Sequence, residues 1–165
     1  MSEESKGVKE FIDPAQFKQD VEYSPADLDT AMVEQASLSA FYGAASAESS
    51  RQAGIMKIRL GVVEAKVYKE IRDAANDEKR KMTEAQIKAE VETDPRVIKA
   101  KSDYINATYY ADLGKSAVES FKQRRDMLIQ LGSSAREERK GELFIKGGSL
   151  SDLQDKAHQA VGSVS

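Results

Sequence analysis

The three prolines of this chain each stand directly after a residue that caps helices: Asp13-Pro14, Ser24-Pro25 and Asp94-Pro95. Proline at the first helical position has no N–H to waste, and the preceding Asp or Ser accepts from the free N–H groups of the first turn. Every proline therefore starts a helix and none interrupts one, which leaves about 70 residues between Pro25 and Pro95 free of proline. Helix-compatible sequence runs from Pro25 to about Arg80, roughly 80 Å if unbroken. A second helix is predicted over residues 94–132, roughly 55 Å long, with Gly132 after the last apolar residue as its C-terminal cap.

Both segments carry a narrow apolar stripe at alternating steps of three and four, the spacing of helices that pack lengthwise. On the second helix it comprises Val97, Ala100, Tyr104, Ala107, Ala111, Gly114, Val118, Phe121, Arg125 and Leu128. On the first it runs through Leu28, Ala31, Gln35, Leu38, Tyr42, Ala45, Ser49, Gln52, Met56, Val63, Val67 and Ile71, with a slip near Leu60. Its centre, Gly43 to Gly54, is built almost wholly of small side chains. If the helices fold back around residues 81–93, equal counting from the turn sets this run against Phe121 to Met127, large side chains entering a groove left by small ones. A kink between two shorter helices is the alternative.

Around this hairpin the sequence is less regular. Residues 1–12 lack periodicity and predict a mobile acidic arm, followed by a short helix to about Asp20. Thr83 and Gln86 form a capping box, so a short helix is expected in the connection, with Ile87 and Val91 on one face. Beyond Gly132 the reading is a charged helix to about Gly141, an apolar Leu143-Phe144-Ile145 knot, a Gly147-Gly148 hinge and a weak terminal helix. The expected fold is all-α: an acidic arm with a short helix (1–23), a long antiparallel coiled-coil-like hairpin (24–132) and a charged, partly helical tail (133–165). Period-two runs bounded by turns are missing, so no sheet is expected.

Catalytic constellations are almost absent. The chain has no cysteine and a single histidine, His158, which reads as an exposed spectator. Carboxylates lie on helix faces beside Lys or Arg, as Glu84 does with Lys88, and there is no phosphate loop, metal-ligand spacing or nucleophile elbow. The expectation is a non-enzyme without cofactor or metal. No stretch approaches the length of a membrane span or a signal sequence, and the absence of cysteine suits a reducing cytoplasm.

The net charge of −3 hides a sorting along the chain. Residues 1–50 hold three Lys and Arg against ten Asp and Glu, whereas residues 51–81 hold nine against five. Lys57, Arg59, Lys66, Lys69 and Arg72 make the middle basic, with Tyr68 nearby, and Lys122 and Arg124 add charge from the second helix. Cations beside aromatic rings suit a single nucleic-acid strand, whose phosphates attract charge and whose unstacked bases attract flat rings. Equally, such residues solvate a helix face, or meet an acidic protein partner. Because the first helix reads as about 20 residues longer than the second, Leu28, Met32, Leu38 and Phe41 would overhang it. They are the expected interface of a homo-oligomer, unless the tail covers them.

The order of parts, with TEAQIKAEVE in the connection, DPRVIKAKSDY opening the second helix and FKQRRDMLIQ closing it, resembles the UvsY-type recombination mediators of tailed bacteriophages over roughly residues 25–132. The resemblance implies a ring-like helical oligomer in the cytoplasm of a bacterial host. It also implies that the oligomer binds single-stranded DNA and helps a phage recombinase displace single-strand binding protein during recombination and repair. It places the family's basic face on Lys66, Lys69 and Arg72. A structural or scaffolding coiled coil that binds another protein is the alternative function.

Overall fold

The computed structural model describes residues 7–162, with side chains described for residues 7–141. Helix α1 spans Pro14–Val21, a 3-10 turn covers Pro25–Asp27, α2 spans Leu28–Asp77, α3 spans Glu84–Thr93 and α4 spans Pro95–Gly162. Long helices α2 and α4 pack against each other as an antiparallel hairpin, with α3 in the connection and no strand among the described residues.

The predicted starts hold. Asp13 accepts from the Ala15 N–H, Ser24 from Ala26, and Asp94 from Arg96 at 2.8 Å. Asp27 supplies a second cap where the 3-10 turn passes into α2, accepting from Thr30. Thr83 and Gln86 cap α3 reciprocally. The stops were harder to foresee. Helix α2 ends three residues before Arg80, where Lys79 adopts a left-handed φ of 53°. There Arg80 donates to the Ala75 carbonyl and Lys79 to that of Asn76, a Schellman closure built on lysine where glycine is usual.

Gly132 does not stop α4. The helix continues through it and through the Gly147-Gly148 hinge to Gly162. A glycine ends a helix only when left-handed closure is more favourable than continued packing, and here Gly132 lies against Met32 so closely that an added Cβ would sit 2.5 Å from the Met32 methyl. The expected overhang of α2 is therefore absent. α4 runs alongside the start of α2, and Leu28 lines a groove with Ile129, Gly132 and Ala135. Leu38 packs inward on the buried cluster that contains Tyr42 and Phe121, and Phe41, 60% exposed, meets the edge of Tyr42 at 5.1 Å. Leu28, Met32 and Leu38 are thus engaged within the protomer. The side chains of Leu143 to Val161, and His158 among them, lie outside the described residues.

Two buried clusters hold the hairpin. Near the start of α2, Tyr42 stacks on Phe121 at 4.7 Å, Phe17 of α1 meets both rings edge-on, and Ile12 completes the cluster with Ala117. Residues 7–12 are consequently not a loose arm. Lys9 exchanges two 2.9 Å hydrogen bonds with the Gln52 side chain, and Ile12 is buried. Residues 1–6 lie outside the described residues. Near the connection, Val67, Ile87, Val91 and Val97 form the second cluster.

Because α3 lies back against α2, α4 begins opposite Val67, well short of the end of α2, and the register differs from equal counting. Gly114 meets Ser46, where an added Cβ would come within 2.9 Å of the Ser46 Cα. The small run of α2 thus faces small residues of α4, and Phe121 sits beside Tyr42, ahead of that run. Rather than two shorter helices, α2 is one continuous helix of 50 residues.

Candidate nucleic-acid interface

Arg59 and Lys66 are seven residues apart on α2, so at about 100° per residue they lie within about 20° of one another on the flank of Val63 and Val67. Across the seam, Arg96, Lys99 and Asp103 of α4 line the flank of Ala100. Together they bound a shallow trough of about 250 Å³ with Val63, Val67 and Ala100 as its floor. Four cations from two helices thus converge on one groove, against one carboxylate in its lining.

The groove is braced at one corner. Arg96 Nη2 donates to Glu70 of α2 at 2.7 Å and to Asp94 at 3.0 Å, joining the two helices. These hydrogen bonds hold the Asp94 carboxyl below the usual carboxylate range, chiefly through the Arg96 side chain, and push the Arg96 guanidinium up. Arg96 therefore sets geometry, while Arg59, Lys66 and Lys99 make no ion pair among the described residues.

Only part of the expected basic face comes together here. Lys57 points about 160° away from Arg59, Lys69 about 60° beyond Lys66 toward solvent, and Arg72 about 120° from Lys66. A step of three turns steadily around a helix, so Lys66, Lys69 and Arg72 trace a spiral rather than a face. Tyr68 is drawn to the opposite flank, where its hydroxyl donates to the Glu84 carboxylate of α3 at 2.8 Å. That bond, more than burial, pushes its pKa up. Lys122 is exposed, pairs with Glu119 at 3.2 Å, and lies roughly 35 Å along α4 from Lys99.

Arg124 is the clear correction. It is 3% exposed and belongs to the core. Its guanidinium donates to the Ala31 carbonyl at 3.2 Å and to the Gln35 side-chain oxygen, and lies 5.5 Å from the Tyr23 ring centre. Its Nε has no hydrogen-bond partner. Gln35 in turn donates to the Phe121 carbonyl at 2.8 Å. Arg125, expected in the stripe, is at the surface beside Asp126. With two arginines adjacent, either fits the three-four spacing. The buried row is Gly114, Ala117, Phe121, Arg124 and Leu128.

Arg96 and Lys99 were missed as site residues. Their signal was available in DPRVIKAKSD, where Arg96, Lys99 and Asp103 follow helical spacing beside the stripe. Recognising it required the register between the helices. No helix among the described residues is long and apolar enough to cross a membrane. The chain matches no protein-family model, no curated protein and no solved structure.

Proposed function

We propose that this protein binds single-stranded nucleic acid along the groove between α2 and α4. The observation that carries this reading is the convergence of Arg59, Lys66, Arg96 and Lys99, from both helices, on one open trough. An open, cation-lined channel suits a flexible phosphate backbone. An enclosed pocket would suit a small ligand instead.

The wider role in this proposal is that of a recombination mediator. In a bacterial host cytoplasm a homo-oligomer of the chain holds single-stranded DNA and helps a phage recombinase replace single-strand binding protein. This part rests on the resemblance of residues 25–132 to UvsY-type proteins. A scaffold that binds only protein is the second reading, and the exposed apolar side chains of α2 and α4 favour it. Fluorescence anisotropy with labelled oligonucleotides separates the two. The mediator binds a single strand in preference to a duplex, with affinity falling steeply as salt rises. A scaffold shows no binding even at low salt.

A further inference from the structure

Apart from the seam, both long helices carry a second apolar row. On α2 it is Ile55, Ile58 and Val62, and on α4 it is Ile98, Ile105 and Tyr109, all exposed. Ile58 is 71% exposed and Ile105 65%. Each of the six stands nine residues from a residue turned into the protomer, such as Ser49 or Val67 for Ile58, Ala107 for Ile98 and Gly114 for Ile105. Nine residues at about 100° each is half a revolution past two full turns. The rows therefore occupy the two outer edges of the hairpin, each facing away from the other helix.

The rows also lie at the same height. Measured from the Ser46–Gly114 contact, Ile55 and Ile105 are each nine residues toward the connection, and Val62 and Ile98 are each sixteen. Residues at equal height meet when copies are related by rotation about an axis parallel to the helices. An α2 edge would then face the next copy's α4 edge, antiparallel, as inside the hairpin.

We infer that a second copy of this chain seats its α4 edge on the α2 edge, in a head-to-tail contact that can repeat from copy to copy. Scaled by exposure, the three residues of each edge offer roughly 300–400 Å² of apolar side chain. A standard interface takes about 800 Å² per partner, of which about 56–65% is apolar. Each edge thus supplies most of the apolar share of one such interface. A symmetric contact of α2 with α2, or α4 with α4, would leave one row in water. The inference is independent of the nucleic-acid reading and replaces Leu28, Met32 and Leu38, which are engaged within the protomer.

Sedimentation velocity at tens of micromolar on wild type, Ile58→Glu and Ile105→Glu tests the polarity of the contact. Both substitutions are at exposed positions, and circular dichroism should show unchanged helix content. Wild type is expected to run well above the 18.2 kDa of one chain, and each variant alone as a monomer or small remnant. An equal mixture of the two should form a dimer, because Ile58→Glu keeps its α4 edge and Ile105→Glu its α2 edge. Val62→Glu mixed with Ile98→Glu should behave alike and serves as the second pair if either first variant loses helix. A monomeric wild type, a variant that assembles as wild type does, one that dimerises alone while the other cannot, or a mixture that stays monomeric would each overturn the inference.

Discussion

The two halves of the α2/α4 seam treat arginine in opposite ways. In the half nearer the start of α2, Arg124 is enclosed by Ala31, Gln35 and Tyr23, the last supplied by the segment that links α1 to the 3-10 turn. In the half nearer the connection, α3 covers one flank only, so Arg59, Lys66, Arg96 and Lys99 stand around an open trough. The helices are the same, and the covering elements differ. A cation on this seam becomes structural or available according to whether a third element closes over it, and its spacing along the helix alone does not reveal which.

The closed half should respond most strongly to substitution. Phe121→Ala removes a ring held by Tyr42, Phe17 and Ile12, and such truncations cost about 3–5 kcal/mol. Chemical denaturation should show that loss. A cost under about 1 kcal/mol would mean the aromatic cluster does not hold the hairpin.

A smaller effect sharpens the role of Arg124. Gln35→Leu leaves the buried guanidinium with the Ala31 carbonyl as its remaining hydrogen-bond partner, and loss of a bond to a charged group costs about 1.5–3 kcal/mol. Adding Arg124→Met should recover most of it, since replacing both members of a buried polar pair by apolar groups is close to neutral. Denaturation midpoints of the two singles and the double measure the coupling. Strict additivity would place Arg124 outside the core.

The smallest effect is in pH. Burial, then the hydrogen bond to Asp20 at 2.8 Å, pushes the Tyr42 hydroxyl up from its ordinary value of 10.0. A raised pKa contributes stability that is complete below the unfolded value, about 10, and is lost as pH climbs through the folded one. Thermal melts should therefore fall above about pH 10, and Tyr42→Phe should flatten that decline. An equal decline in the variant would assign it elsewhere.

The sequence made the helix starts legible because caps are local: Asp13, Thr83 and Asp94 act on N–H groups within three residues. The α2 stripe was legible for the same reason, and Ala31, Gln35, Tyr42, Ser49 and Val67 are all buried. What depended on the partner helix was not. Gly132 reads as a stop until Met32 is seen against it, and α3 folding back shifted the register. The exchange of Arg124 with Arg125 depended on where Gln35 would fall. Arg59 and Lys66 could be named from the sequence, whereas Arg96 and Lys99 joined them only through that register.

The central claim is that availability at the open half of the seam, more than charge alone, makes the binding surface. Salt-dependent anisotropy with a labelled single strand tests it most directly, comparing wild type, Arg59→Ala/Lys66→Ala/Lys99→Ala and Lys122→Ala. Each phosphate contact contributes about 0.7 to the slope of log affinity against log salt for a single strand, so the groove triple should lower it by about 2. Lys122→Ala should leave the slope near wild type. A groove triple that keeps the wild-type slope would contradict the account.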